Sequence, residues 1–263
     1  MKLTGERPMQ GATPDSLLAF HDAGYREVLA RLGPGTTIDV GCGIGDETRR
    51  LAGSGRLVVG ADYSAETMRA AAAAHAGTDG LRFCVLDGSA LAVRDSSVDW
   101  IVSSHIVEHF TNPVVHVAEL ARALRPDGTA FVITPNAPAD FENPFHVYPL
   151  ERSHLVSLLA LFFEEVTCLG LEGDDALHAD FAARRAGGER LLRLDAFRLR
   201  QRVPRAAYVW AYERVLPLAY RLLGDRNGIG SGLTESDFFV TEHVDERTPG
   251  LFAIARRPRV AAT

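Results

Sequence analysis

Short apolar runs separated by helical stretches restrict this chain more than any other feature. Strands buried on both faces lose the alternation of a half-exposed sheet and need helices above and below them. The runs predict strands over 37–41, 57–62, 81–86, 100–103 and 130–134, with helices beginning near Asp46, Ser64 and Pro113. Residues 65–76 are almost wholly alanine on one side, a composition that forms helix readily and packs closely on a sheet. A helix over 152–163, a strand over 165–171 and a last strand over 251–255 complete the pattern. The expected fold class is α/β, a doubly wound, seven-stranded, mostly parallel sheet.

Ahead of the first strand, Leu18, Tyr25, Val28, Leu29 and Leu32 recur at helical spacing until Gly33-Pro34-Gly35 ends the run. Residues 1–35 are thus expected to form an irregular arm and an amphipathic helix, and 36–172 the core. The rhythm breaks after Gly173. Residues 173–235 read as helical and arginine-rich, and their aromatic residues Phe197, Tyr208, Trp210 and Tyr212 need burial. A structureless loop of such length is unusual inside a compact domain, so an inserted helical lid is expected there, with 236–263 returning to the core.

Composition narrows the partners. A formal net charge of -6 argues against a general nucleic-acid binder, because neutralising phosphates needs a basic surface. Cys42, Cys84 and Cys168 form no C-x-x-C pair, which predicts reduced thiols and a cytoplasmic setting. The first residues lack the apolar core of a leader, and no run reaches the roughly 18 apolar residues of a membrane span. The expected partner is a small molecule, with neither nucleic acid nor membrane.

Three strand ends carry the chemistry. Asp39-Val40-Gly41-Cys42-Gly43-Ile44-Gly45 stands between a strand and a helix, where glycines let the backbone turn sharply and a ligand approach the main chain. The spacing is G-x-G-x-G. A dinucleotide fingerprint, G-x-G-x-x-G, would set a pyrophosphate on a helix N-terminus, and its absence counts against a nicotinamide-dependent oxidoreductase. Asp62 ends the next strand and can accept both ribose hydroxyls of an adenosine. Asp87, before Gly88, ends the third, where it can meet an adenine amino group. Together they describe a nucleoside pocket.

At these residues the chain resembles the class I S-adenosylmethionine-dependent methyltransferases. Ile38-Asp39-Val40-Gly41-Cys42-Gly43-Ile44-Gly45 is similar to the family's first motif, and Val59-Gly60-Ala61-Asp62-Tyr63-Ser64 to its second. Asp87-Gly88-Ser89 resembles the adenine turn, the stretch from Val98 to His109 the fourth strand, and Leu124-Arg125-Pro126-Asp127-Gly128-Thr129 the turn into the fifth. The resemblance implies S-adenosyl-L-methionine as cofactor, with Met68 beside the adenine and Asp39, Ser104 and His105 flanking the methionine part. Thr4-Gly5-Glu6-Arg7-Pro8, Thr134-Pro135-Asn136 and Asn143-Pro144-Phe145-His146-Val147-Tyr148 are similar to segments of bacterial sugar O-methyltransferases. Among actinobacterial relatives, the methyltransferases of methylmannose polysaccharide synthesis offer the comparison. Where that group has His-Arg-Tyr, this chain has Ala23-Gly24-Tyr25, which leaves Tyr25 and Arg26 as candidates to hold the methionine carboxylate.

Methyl transfer to a neutral oxygen needs alignment and a base for the departing proton. His146, in the loop after the fifth strand, is the first candidate for that base and His109 the second. The implied acceptor is a hydroxyl on a sugar or sugar-containing small molecule. Some sugar O-methyltransferases use magnesium, but no carboxylate cluster in the sequence marks such a site. Three alternatives follow from the same residues. A phenol or quinone precursor could be the acceptor. The module could bind cofactor without turnover. His105-Ile106-Val107-Glu108-His109 also matches H-x-x-E-H, a metallopeptidase signature with two zinc-binding histidines one helical turn apart.

Overall fold

The computed structural model describes residues 13–53, 55–140, 145–193 and 231–259. In chain order it contains α1 (Asp15–Leu29), β1 (Gly35–Val40), α2 (Asp46–Leu51), β2 (Arg56–Asp62), α3 (Ala65–Ala74), β3 (Leu81–Val85) and β4 (Val98–Ser104). There follow α4 (Pro113–Ala123), β5 (Leu124–Pro135), α5 (Arg152–Ala160), β6 (Phe163–Gly173), α6 (Asp175–Arg193), β7 (Phe238–Thr241) and β8 (Gly250–Pro258). The strands form one sheet in the order β3-β2-β1-β4-β5-β8-β6-β7. Neighbours from β3 to β5 run parallel, and β8 is antiparallel to both β5 and β6.

Two apolar layers show why the strands read as unbroken hydrophobic runs. Ile38, Ile101, Ala130 and Val132 face one layer, where Val117 and Leu120 of α4 and Leu155 and Leu159 of α5 cover them. Val58, Val102, Phe131 and Ile133 face the other, beneath Val28 of α1 and Leu51 of α2. Consecutive residues such as Ile101 and Val102 thus serve opposite layers, as the two-residue period of a strand requires. The winding on both faces agrees with the expectation.

Several strands run longer than expected, β5 beginning at Leu124 rather than near Ala130, and two further differences change the elements themselves. The sheet has an eighth strand, β7, whose four residues were too short a run to stand out beside the longer segments. The helix expected over 152–163 stops at Ala160, because Phe163 is needed as the first, fully buried residue of β6. α6 covers the beginning of the stretch expected to be helical, whereas Phe197, Tyr208, Trp210 and Tyr212 lie outside the described residues. So do Thr4-Gly5-Glu6-Arg7-Pro8, Asn143 and Pro144. No described helix is long and apolar enough to cross a membrane. Cys42, Cys84 and Cys168 are free thiols.

The chain divides into two compact units. The larger comprises Gly24–Ala139, Val147–Leu171 and the residues from Val240 onward, and holds nearly all of the sheet. The other is made from residues within 1–23, 140–146 and 172–239. In it Phe20 stacks on Phe238 with ring centroids 5.6 Å apart and meets Phe181 edge-on at 6.4 Å.

Candidate functional site

The sheet order brings the C-terminal ends of β3, β2, β1 and β4 side by side. Register pairs Val40 with both Ala61 and Ser103, and Asp62 with Val85. One row therefore carries Asp87 and Gly88 after β3, Asp62 at the tip of β2, the glycine turn after β1, and Ser104 and His105 at the end of β4. This is the crevice where open α/β sheets bind their ligands.

In the turn, Gly41, Gly43 and Gly45 have φ of +78°, +54° and +82°, a left-handed run that side chains resist. The glycines are needed for different reasons. A Cβ on Gly41 would stand 2.2 Å from Cγ2 of Ile106, whereas one on Gly43 would meet nothing within 4 Å among the described residues. Gly41 is closed in by the protein, and Gly43 offers its bare backbone to open space. The N–H groups of Gly41 and Cys42 both donate to the carbonyl of Ala61, at 2.7 and 3.0 Å, which ties the turn to β2. His75 supports it from the side, with Nε2 3.1 Å from the carbonyl oxygen of Ile44. Cys42 is buried, with Sγ 4.0 Å from Sδ of Met68, and burial holds its thiol protonated.

Asp39 lies wholly buried below the turn. Its carboxylate accepts from Thr48 Oγ1 at 2.6 Å and from the Tyr25 hydroxyl at 2.9 Å. Burial pushes its pKa up to about 7, against the pull of those two hydrogen bonds. Burial and the nearby carboxylate also raise the Tyr25 phenol well above its ordinary value. Tyr25 was a candidate for the methionine carboxylate; the structure commits its hydroxyl to Asp39 instead, while Arg26 pairs with Glu27 at 2.9 Å.

Asp62 is nearly buried and Oδ1 accepts from the N–H of Ser64 at 2.8 Å, while Ser64 caps α3 by accepting from the N–H of Thr67. Strand end and helix start are thereby locked together. Tyr63, between them, is exposed. Asp87 is exposed, and its Oδ1 accepts from both the hydroxyl and the N–H of Ser89 at 2.7 and 2.8 Å, bonds that lower its pKa. Ser104 is buried, and its Oγ has no hydrogen-bond partner among the described residues. His105, with φ of +55°, turns the chain out of β4, and its Nδ1 lies 3.8 Å from the buried Glu108, beyond hydrogen-bond range.

A nucleoside with an amino-acid tail fits this row. Asp62 can accept from ribose hydroxyls, Asp87 can accept from an exocyclic amine, Gly43 presents open backbone, and Ser104 holds a buried hydroxyl that a ligand could satisfy. The sequence reading does not reach Thr48, His75 and His116, whose partners Asp39, Ile44 and Gly88 are brought to them by the fold, and no spacing marks them.

The two base candidates fall in different units. His109 ends a one-turn 3-10 helix, Val107–His109, in the larger unit. His146 belongs to the other, where its Nδ1 stands 2.6 Å from Oδ2 of Asp140. The metallopeptidase alternative is not supported, because it needs His105 and His109 on one helix. His105 instead leaves β4 in a left-handed conformation, and Val107–His109 makes only one short turn.

Residues 38–132 match the family model described as a methyltransferase domain. The chain is 31% identical over 197 residues to the Mycolicibacterium smegmatis protein named "Probable S-adenosylmethionine-dependent methyltransferase", an alignment covering 71% of this chain and 74% of the relative. Over 101 residues it is 32% identical to the ubiquinone biosynthesis O-methyltransferase of Parvibaculum lavamentivorans, covering 38% of this chain and 40% of that one. Among solved structures, a methyltransferase of Thermotoga maritima superposes with a TM-score of 0.59 at 14% identity, covering 92% of this chain and 91% of the other, a likeness of fold. The matched segment contains the whole row of strand ends from the glycine turn to His105, and the alignment with the mycobacterial relative runs well beyond it: this chain belongs to the S-adenosylmethionine-dependent methyltransferases.

Proposed function

We propose that the chain methylates a hydroxyl oxygen of a small acceptor, a sugar or sugar-containing molecule. When bound, S-adenosylmethionine would supply an activated methyl group on a positively charged sulfur, a leaving group able to keep the electrons of the broken bond. The chain's own residues have two tasks. Asp62 holds the ribose and Asp87 the adenine beside Met68, with Gly41, Cys42, Gly43 and Gly45 forming the floor between them and Tyr63 at the rim. Asp39, steadied by Tyr25 and Thr48, lies with Ser104 and His105 at the methionine end.

The second task is proton removal, and the single observation that supports an alcohol acceptor is the Asp140–His146 pair. A carboxylate accepts but does not donate, so the Nδ1 of His146 carries the hydrogen and Nε2 the lone pair. Such an imidazole can take a proton from an alcohol as its oxygen attacks. An ordinary alcohol needs this help, whereas a more acidic phenol needs less. Similarity to an O-methyltransferase of ubiquinone biosynthesis keeps a phenol or quinone precursor as the second reading.

The deciding experiment is transfer of labelled methyl from S-adenosylmethionine to a panel of sugars and phenols, with and without magnesium. Labelled sugar that depends on His146 supports the proposal. Transfer confined to phenols, unaffected by His146→Ala, overturns it.

A further inference from the structure

His116 stands on α4, pointing into the core below the adenine end of the row. Its side chain is wholly buried, yet both ring nitrogens are used: Nδ1 lies 2.7 Å from the carbonyl oxygen of Gly88, and Nε2 lies 2.9 Å from Oγ of Ser103. The ring stacks on Phe110 with centroids 4.5 Å apart and planes 12° from parallel. Gly88 is pressed against the same pair, since a Cβ there would come within 2.9 Å of the Phe110 ring and 3.3 Å of His116 Nδ1. A carbonyl can only accept, so Nδ1 must donate. With the ring neutral, Nε2 then accepts from the Ser103 hydroxyl. Burial favours that neutral form, lowering the pKa to about 4.

We infer that His116 is a positioning residue for adenine recognition, holding the Gly88 carbonyl and so aiming the carboxylate of Asp87. The inference rests on the assignment of Asp87 to the adenine amino group. Asp87 is exposed and its turn is held at one end by Ser89. Among the described residues, the buried side chain bonded to the backbone between Asp87 and Ser89, at the Gly88 carbonyl, is that of His116. A donor fixed by the β4 tip through Ser103 and by α4 through its own backbone gives a solvent-facing turn the rigidity of the core. Selectivity for an amino group over a carbonyl oxygen depends on such rigidity, because a carboxylate free to swing aside would tolerate either.

Two substitutions separate the ring's contacts. His116→Asn places an amide nitrogen near the position of Nδ1 and keeps a donor for Gly88, while His116→Gln reaches toward Ser103 and leaves Gly88 unheld. The probes are S-adenosylhomocysteine and S-inosylhomocysteine, which differ at the purine 6 position, titrated by calorimetry. The wild-type protein should prefer the adenosyl compound by about tenfold, the worth of one hydrogen bond to a charged group. His116→Asn should keep that ratio, and His116→Gln should bring it close to one. Damage to the fold alone would weaken both probes equally and leave the ratio unchanged, which overturns the inference. A wild-type ratio that survives Asp87→Ala removes the adenine assignment itself, and is thus told apart from a failure of His116. Should His116→Gln not fold, nitrogen-15 spectra of wild-type histidines decide the matter: a hydrogen on Nδ1 of His116 is expected, and one on Nε2 alone overturns the inference.

Discussion

At the scale of single residues, buried carboxylates set the behaviour of the site. If Asp62 accepts from the ribose, Asp62→Ala should weaken S-adenosylhomocysteine binding by about 1.5 to 3 kcal/mol, the range for a hydrogen bond to a charged group. Calorimetry showing wild-type affinity would take Asp62 out of the pocket. Asp39 leads to a prediction about stability. Its folded pKa of about 7 exceeds the ordinary carboxyl value of 3.8, so between those two pH values the folded state binds more protons than the unfolded chain. Its contribution is therefore fully present below about pH 4 and is lost as pH rises toward 7. Urea unfolding should show Asp39→Asn with a weaker decline of stability across that window than the wild type. Equal slopes would mean that the hydrogen bonds from Thr48 and Tyr25 offset burial in full.

At the scale of elements, the β1-to-α2 turn distinguishes glycines needed for folding from those needed for the ligand. Gly41→Ala should cost stability, because its Cβ would collide with Ile106 as well as adopt a left-handed backbone. Gly43→Val should lose only about 1 to 2 kcal/mol from its backbone conformation, yet abolish cofactor binding by filling the open space. Thermal melts and calorimetry on the two variants would check this. Normal cofactor affinity in folded Gly43→Val would make the turn purely structural. The sequence made this element legible because three glycines after an apolar run have few other uses. It did not show that Ile106, 65 positions from Gly41, is what forbids a side chain at one of them.

At the scale of the whole molecule, the proposed function gives cofactor binding and proton removal to different side chains, so the two should separate by mutation. His146→Ala should keep S-adenosylhomocysteine affinity while lowering turnover of a sugar-like alcohol by about 10² to 10⁴, the usual contribution of a positioned base. The wild-type rate should rise with pH through a value set by an imidazole, and the rise should vanish in the variant. Near-normal turnover by folded His146→Ala at every pH would move the role to His109.

Local pattern alone determined the alternating strands and helices, the glycine turn, and the acids Asp62 and Asp87, because each depends on residue type and spacing along a short stretch. Strand β7 escaped because its four residues carry too little pattern of their own, and pairing at the sheet edge makes it a strand. The role of Tyr25 escaped for a related reason. Its place on an amphipathic helix was legible, but only the packing of α1 against β1 puts its hydroxyl 2.9 Å from Asp39. His116 and Asp140 likewise gain meaning from partners that the folded chain brings to them. Tertiary structure decided which polar groups lost their water, and a buried polar group must take whatever partner the fold supplies.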